Sequence, residues 1–177
     1  ISAGNLDSMV AHYTAAKKRR HDDAYSPGRR GGLRPDHATV VYSNRVREAF
    51  GEIPIVIGGL EASLRRFAHY DYWEDKVRRS VLFDAQADIL TYGMGEKATV
   101  EIAARLASGT PVGEITDVRG TCVAVRDPGV CIYPKVEVPA FEEVSASKEA
   151  YARANMTEYL EHDPVTGRAI LQRHGNR

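Results

Sequence analysis

The most constraining feature of the sequence is an apolar run that enters a glycine turn and is followed by glutamate, and this pattern occurs twice. The two copies are residues 54–61 and residues 89–96. Each run is short, contains β-branched residues and ends at glycine, which is typical of a strand buried on both faces of a parallel sheet. Glycine lets the chain turn sharply at the carboxyl edge of such a sheet, where open α/β sheets bind ligands. The pattern therefore predicts an α/β fold with a candidate site at that edge.

The composition is that of an ordinary globular chain. Of the 177 residues, 43% are apolar and 27% are charged, and a chain of this length can bury a sizeable core. Lys and Arg together number 24, as do Asp and Glu, so the net charge indicates no particular class of partner. No apolar run is long enough to cross a membrane and no secretion signal is recognisable, so a cytoplasmic location is expected.

The first residues carry a separate indication. The sequence starts with Ile1-Ser-Ala-Gly rather than with Met, and this pattern is typical of the end of a strand that enters a loop. We therefore expect a fragment whose first elements of structure are missing.

Hydrophobic periodicity predicts helices and strands in alternation. Helices are predicted over residues 6–20, over 37–50 after an Asp36 cap, before a stop at Ser108-Gly109, and over 146–161 after a Ser145 cap. Strands are predicted in the two apolar runs and at residues 121–125, whereas residues 130–140 contain two prolines and are predicted to be an extended linker. These elements predict a doubly wound, mostly parallel sheet in residues 1–129, truncated at its start, and a small extension in residues 130–177.

The two glycine turns supply the candidate cofactor-binding residues, which are Gly58, Gly59, Gly93, Gly95 and Glu96. The Rossmann fingerprint needs three glycines at fixed offsets and an acidic residue about twenty positions later, and neither turn meets it. Two interpretations stay open: the glycines only permit tight turns, or their backbone contacts a ligand. Glu96 lies near the start of a predicted helix, where a carboxylate is stabilised by the helix dipole, so a capping role is favoured over acid–base catalysis.

Residues 61–79 form the most unusual segment, because nine charged and four aromatic side chains share nineteen positions. Arginine forks bind phosphate or carboxylate, and tryptophan stacks on flat rings. The candidate substrate-binding residues here are Arg65, Arg66, His69 and Trp73. The alternative is a network of salt bridges that neutralises itself. No Ser or Cys nucleophile stands at a known spacing from His69, so no hydrolytic triad and no catalytic residue is predicted.

A basic segment begins at Lys17 and ends at Arg34, and it offers a different class of function. It contains seven basic residues and two acidic ones, and phosphate contacts need clusters of this kind. A solvated helix end followed by a loop explains the same composition, since no nucleic-acid fold motif accompanies it. The two cysteines, Cys122 and Cys131, match no zinc or iron–sulfur spacing, so no metal ligand set is predicted.

Several blocks of the sequence resemble, in the same order, the N-terminal region of the YgiQ-type radical SAM proteins, a bacterial group. The blocks are residues 2–9, 20–25, 34–36, 58–66, 68–73, 77–82, 95–96, 139–142 and 172–175. The resemblance extends over nearly the whole chain. It implies that this region precedes a radical SAM domain, and that its α/β part is similar to the cobalamin-binding domains that precede the barrel in other radical SAM enzymes.

The resemblance also implies the chemistry of the parent enzyme, which would use a [4Fe-4S] cluster and S-adenosylmethionine to start a radical reaction on an unknown substrate. The Cys-x3-Cys-x2-Cys motif of that family is absent from this sequence, so no cofactor and no catalytic residue is assigned to this segment. The cobalamin signature Asp-x-His-x2-Gly is also absent, because Asp36-His37 has a different spacing, and this argues against cobalamin ligation.

The combined prediction is an accessory, substrate-recognition part of a radical SAM enzyme that is not catalytic by itself. Its predicted partners are the downstream radical SAM domain of the same chain and the unknown substrate, without a membrane. An RNA- or anion-binding module that uses the basic segment is the alternative from another class. A cobalamin carrier is the third hypothesis.

Overall fold

Helices and short strands alternate along the computed structural model, which describes residues 1–163 and 165–175. The helices are α1 (Ser8–His12), α2 (Ala38–Phe50), α3 (Gly59–Leu64), α4 (Val81–Asp84), α5 (Glu96–Ala107), α6 (Phe141–Ala146) and α7 (Lys148–Leu160). The strands are β1 (Val56–Ile57), β2 (His69–Asp71), β3 (Lys76–Arg78), β4 (Ile89–Thr91), β5 (Thr121–Val123), β6 (Lys135–Glu137) and β7 (Ala169–Leu171). Short 3₁₀ turns cover Pro27–Arg29, Val112–Glu114 and Pro128–Val130.

The central sheet has the strand order β1-β4-β5. β1 and β4 are parallel, with Val56 opposite Ile89, whereas β5 runs antiparallel to β4. Ser2 adds a parallel bridge to Gly58, so the first residues of the chain lie alongside β1 on its other side. β2 and β3 form a separate antiparallel hairpin, and β6 and β7 form a separate parallel pair.

Helices cover both faces of the central sheet, because its strands alternate apolar side chains between two cores. Ile57 and Leu90 pack on one face with residues of α3 and α4, and residues of α2 cover them. Ile89 packs on the other face with Ala98 and Ile102 of α5. The α/β class is therefore confirmed, as are the two glycine-terminated strands.

The finer prediction of a doubly wound, mostly parallel sheet is not confirmed. β5 is antiparallel, and the remaining strands belong to two-stranded sheets of their own. Apolar periodicity reports which face of a strand is buried but carries no information on the direction of its neighbour, so the sequence pattern could not reveal this difference.

The predicted helix over residues 6–20 is wrong beyond His12. Tyr13 leaves the helix in an extended conformation, and Lys17 adopts a positive φ of 57°. His12 and Tyr13 instead bond the Asp36 carboxylate, through Nδ1 at 2.7 Å and the phenol at 2.6 Å. Asp36 therefore anchors this loop and does not cap α2, whose N-cap is His37. The predicted helix over 37–50 itself is confirmed by α2.

The C-terminal part contains the predicted helix as α7, although its cap is Ser147 rather than Ser145. Residues 130–140, predicted as a linker, include the strand β6, which pairs with β7. Val138, Val144 and Ala154 share a third core with Ala68 next to the β2–β3 hairpin. Among the described residues, no helix has both the length and the apolar composition that crossing a membrane requires.

Candidate ligand site at the sheet edge

Gly58 and Gly59 lie at the carboxyl end of β1, as predicted, where neighbouring residues fill the space beside them. A methyl group on Gly58 would stand 2.5 Å from Thr91 Oγ1. One on Gly59 would stand 2.7 Å from the backbone nitrogen of Gly4, and Gly59 also has a φ of +84°. These contacts favour the interpretation in which the two glycines permit tight packing of adjacent turns. Ligand contact by their backbone stays a prediction.

The second turn is open. Gly93 has a φ of +64° and nothing lies within 4 Å of the position that a side chain would take, while Gly95 packs against Thr91 and is the N-cap of α5. Glu96 is exposed in the first turn of α5, where its charge complements the helix dipole. Thr91 thus stands between the two glycine turns, because it touches both Gly58 and Gly95. Of the candidate cofactor-binding residues, Gly93 and Glu96 are the ones with free space beside them.

A buried ionic anchor stands directly behind this edge. Glu61, which is 1% exposed, accepts the backbone N–H of Ser8 at 2.8 Å and that of Thr39 at 3.0 Å. Arg65 donates to the Asp7 carboxylate and to the carbonyl of Glu61. One carboxylate therefore ties the starts of α1 and α2 to α3. The guanidinium of Arg65, a predicted substrate-binding group, is already engaged within the protein.

Arg66 points to a different place from Arg65. Its guanidinium carbon lies 5.2 Å from the centroid of the Tyr92 ring, and its Nη2 lies 3.9 Å from the Glu158 carboxylate of α7. That separation is too long for a hydrogen bond. Tyr92 directly follows β4, so the arginine, the phenol and the carboxylate meet at the carboxyl edge of the sheet. They form a set of polar groups, half-buried and incompletely paired, which we call the edge cluster.

Burial tunes the ionisable groups of the edge cluster. It raises the pKa of Glu158 to about 7, although nearby Arg66 acts in the opposite direction. Burial also raises the pKa of the Tyr92 phenol, and the Arg66 charge again opposes the shift. A carboxyl group with a pKa near neutrality exchanges a proton readily at physiological pH, which suits either proton transfer or binding of a basic ligand group.

The Glu158→Gln variant tests this assignment through stability. The folded pKa of about 7 exceeds the ordinary value of 4.5, so the folded chain binds the proton more tightly than the unfolded chain. Stability is then highest below about pH 4.5, falls as the pH rises to about 7, and stays low above that. In the wild type, the free energy of unfolding should decrease by about 2 kcal/mol between pH 5 and pH 8. We expect this decrease to be absent in the variant, as measured by urea denaturation over the same pH range.

A control on the same helix is Glu149→Gln. Glu149 is exposed, and its hydrogen bond from Ser147 lowers its pKa below 4.5, so it does not titrate in this window. The half-buried His69 has a pKa lowered to about 4 by desolvation, so it destabilises the chain only as the pH falls below about 6.5, in every variant alike. An unchanged pH profile in Glu158→Gln would show that Glu158 is not buried at the edge.

His69 and Trp73 lie in and after the strand β2 of the hairpin, apart from the edge cluster. His69 places Nδ1 3.1 Å from the carbonyl of Phe67, and its Nε2 is buried without a hydrogen-bond partner among the described residues. Trp73 packs edge-on against Tyr72, and its indole N–H is likewise buried and unpaired within the described part of the chain. The four predicted substrate-binding residues are therefore divided between different surroundings, and only Arg66 belongs to the edge cluster.

The basic segment packs on the hairpin. Lys17 Nζ lies 3.4 Å from the carbonyl oxygen of Trp73 and 4.7 Å from the centroid of the Tyr72 ring. Tyr72 in turn donates to the carbonyl of Ala15 at 2.6 Å. The segment is thus part of the folded structure rather than the end of a long helix.

The acidic residues within the basic segment neutralise part of it. Arg34 makes two hydrogen bonds to the buried Asp23 carboxylate, at 2.7 and 2.9 Å, and these hold the pKa of Asp23 well below its ordinary value. Arg29 pairs with Asp22. Two of the seven basic residues are therefore paired with carboxylates of the same segment. Binding of RNA by the others stays a prediction.

The two cysteines do not fit an iron–sulfur cluster. Such a cluster needs three or four thiolates, and the sequence has two cysteines. Cys122 lies opposite Leu90 in the central sheet, where burial raises the pKa of its thiol to about 12. Cys131 Sγ lies 3.9 Å from the carbonyl oxygen of Tyr133. Residues 1–177 therefore cannot by themselves supply the thiolates that such a cluster needs.

Sequence reasoning missed Glu158 and Tyr92. Glu158 belongs to α7, in which the buried residues Ala150 and Ala154 are four positions apart. Glu158 comes four positions after Ala154, so this spacing could have indicated a buried carboxylate. Tyr92 belongs to the second apolar run, residues 89–96, where nothing in the pattern marks its phenol as part of a site. Sequence reasoning also missed a grouping of His37, Asp71 and Glu74, for which the spacing carries no signal.

Comparisons with known proteins all indicate one family. The family model described as Radical SAM N-terminal matches residues 1–177, the whole chain. A UPF0313 protein of Geobacter sulfurreducens is 54% identical over 177 residues, which cover 100% of this chain and 29% of that protein. A UPF0313 protein of Clostridium botulinum strain 657 is 52% identical over 177 residues, with 100% and 28% coverage.

A relative from a third organism is similar to the same degree. The UPF0313 protein of Methanocella arvoryzae is 53% identical over 174 residues, which cover 98% of this chain and 29% of that protein. No solved structure matches the chain. The chain thus spans less than a third of the length of these relatives and corresponds to their N-terminal part.

Proposed function

The chain belongs to the Radical SAM N-terminal family, and from this membership we propose that it is an accessory part that docks on the downstream domain of the same chain and completes its substrate site. The relatives provide the partner, because more than two thirds of their length lies outside the matched region. When bound by that downstream domain, a [4Fe-4S] cluster and S-adenosylmethionine would supply the radical chemistry.

The observation that carries the proposal is the composition of the carboxyl edge of the sheet. Leu64 in α3 is 59% exposed, and Met94 in the second glycine turn is 87% exposed. α3 begins at the carboxyl end of β1, and the Met94 turn begins at the carboxyl end of the neighbouring strand β4. Exposed apolar side chains grouped beside polar ones are typical of a surface that packs on a partner.

The edge cluster lies at this same edge and gives the surface a role in binding. Arg66 and Glu158 leave a separation of 3.9 Å that a polar group of a ligand can bridge. Docking of a second domain would exclude water from the pair and strengthen its electrostatic interactions. The substrate-binding role is thereby assigned to Arg66 with Glu158 rather than to Arg65, whose charge is used by Asp7.

The finer fold assignment, a domain similar to the cobalamin-binding domains that precede radical SAM barrels, belongs to the same proposal. Two features support it: helices cover both faces of the central sheet, and Ser2, β1 and β4 run parallel in that order. Open sheets of this kind place their ligands at the carboxyl edge, which is the edge proposed to dock.

Met94 provides the test of docking. In the full-length protein we expect Met94 to react slowly with a methionine-selective oxaziridine under anaerobic conditions, because the downstream domain covers it. The reaction is followed by mass spectrometry of the peptide that contains residue 94. Met9, which is 4% exposed, supplies the buried reference, and the urea-unfolded protein supplies the exposed reference.

The third methionine of this sequence supplies an exposed comparison. Met156 is 60% exposed on α7 and serves as an exposed methionine outside the glycine turns. Docking at the edge predicts a rate at Met94 close to that of Met9. A rate at Met94 equal to that in urea would rule out docking at this edge.

A further inference from the structure

Three potential metal ligands converge where the start of α2 meets the β2–β3 hairpin. His37 Nε2 lies 3.8 Å from Asp71 Oδ2 and 3.8 Å from Glu74 Oε1. The three ligand atoms all lie within 4.8 Å of one another. The distances exceed hydrogen-bond range, so the imidazole donates to neither carboxylate. The arrangement therefore holds three donor atoms around a gap rather than a closed ion pair.

Asp71 is the strongest indication of a ligand in this gap. The residue is 3% exposed, and its Oδ2 has no hydrogen-bond partner among the described residues. Its other oxygen, Oδ1, accepts the backbone N–H groups of Trp73 at 2.9 Å and Glu74 at 3.1 Å. These bonds fix the plane of the carboxylate and direct Oδ2 towards His37. A buried carboxylate oxygen without a partner is unfavourable unless a cation or a donor occupies the space in front of it.

His37 is held as firmly as Asp71. It is the N-cap of α2 in a left-handed conformation with φ 49° and ψ 51°, and its carbonyl accepts the N–H groups of Val40 and Val41. A non-glycine residue in this conformation is uncommon. Two of the three donors thus come from fixed backbone positions, which is the condition for a preorganised site.

We propose that His37, Asp71 and Glu74 bind one divalent first-row transition-metal ion. The donor set, one imidazole nitrogen and two carboxylate oxygens, suits Mn²⁺, Fe²⁺ or Zn²⁺. Two atoms bound to such an ion at about 2.1 Å stand at most about 4.2 Å apart, and both measured His37 distances meet this limit. Glu74 is partly exposed, so its side chain can close the remaining separation. The two carboxylates balance the charge of the ion.

Two basic side chains compete with the ion for the Glu74 carboxylate. Lys76 Nζ lies 2.6 Å from Glu74 Oε2, and Arg78 Nη1 lies 2.7 Å from Oε1. Arg78 is additionally held by Asp84, whereas Lys76 is exposed and can turn into the solvent. The oxygen that faces His37 is Oε1, so the ion shares it with Arg78, while Lys76 neutralises the same carboxylate through Oε2. Removal of the lysine charge therefore favours binding of the cation.

Mn²⁺ titration of the full-length protein tests the proposal. Loss of the electron paramagnetic resonance signal of free Mn²⁺ measures the bound ion, with any iron–sulfur cluster kept in its oxidised, silent state. We expect Asp71→Asn and His37→Asn each to raise the Kd of one site by at least about tenfold. Both substitutions preserve the fold: Asn keeps the Oδ1 acceptor at position 71, and Asn tolerates the left-handed conformation at position 37.

Two further variants sharpen the experiment. Asp75→Asn removes an exposed carboxylate of the same hairpin turn and is expected to leave the Kd unchanged. Lys76→Ala is expected to bind Mn²⁺ several-fold more tightly, because it removes the competing positive charge. Equal Mn²⁺ binding by wild type, Asp71→Asn and His37→Asn, or no binding at all, would overturn the proposal. Weaker binding by Lys76→Ala would overturn the placement of the ion at Glu74.

Discussion

The Gly59→Ala substitution is expected to destabilise the chain by at least about 3 kcal/mol. The new methyl group would stand 2.7 Å from the backbone nitrogen of Gly4 and 2.9 Å from that of Ala3. These are backbone atoms, held by hydrogen bonds between Ile1, Ala3 and the β1 end, so they cannot move aside without breaking the parallel pairing. The φ of +84° adds conformational strain for any residue with a side chain.

Gly93→Ala is the matched control at the other turn. Gly93 has a similar φ of +64° but open space beside it, so only the conformational strain of about 1 kcal/mol is expected. Urea denaturation, followed by the fluorescence of Trp73, the single tryptophan, measures both variants. Equal losses in the two variants would mean that strain alone, and not close approach of the first residues to β1, explains the glycine at position 59.

The second large effect is expected for Glu61→Ala, which should destabilise the chain by about 3–5 kcal/mol. The Glu61 carboxylate accepts the N–H groups of Ser8 and Thr39, and both belong to first turns of helices. Removing it leaves two buried donors without partners, and each hydrogen bond to a charged group is worth about 1.5–3 kcal/mol. Arg65 remains paired through Asp7, so the effect reports the carboxylate itself.

Glu48→Ala is the control for a glutamate that makes an ion pair but is not buried. Its partner Arg45 lies 2.6 Å away on the exposed face of α2, and both side chains are more than half exposed. Such a pair contributes at most about 0.5 kcal/mol, and alanine is a good helix former. A loss in Glu61→Ala no larger than that in Glu48→Ala would show that Glu61 does not join the two helix starts.

The sequence predicted elements well where one local pattern determined them. β1, β4, α2 and α5 follow from apolar periodicity and glycine stops, and all four lie close to their predicted positions. The helix predicted over residues 6–20 failed because His12 and Tyr13 bind Asp36, more than twenty residues away. A tertiary hydrogen bond outweighed a weak local preference, which is the usual limit of such predictions.

The candidate site was predicted in outline but not in its members. The two glycine turns correctly predicted where β1 and β4 end, and Arg66 was among the predicted substrate-binding residues. Ligand binding at that edge stays a prediction. Glu158, the partner of Arg66, lies 92 residues further along the chain, in a helix whose apolar pattern is weak, so no spacing connects the two. The arginines at positions 65 and 66 are indistinguishable in sequence, yet one is buried against Asp7 and the other faces Tyr92.

The family, the α/β class and the position of the glycine-terminated strands were determined by the sequence alone, because each rests on contiguous residues read along the chain. The tertiary structure alone decided the direction of β5, the pairing of Arg65 with Asp7, and the meeting of His37 with Asp71 and Glu74. The physical reason is that burial and electrostatics depend on distances in space. A charged side chain becomes an anchor, a ligand or a solvated group only through neighbours that the fold brings to it.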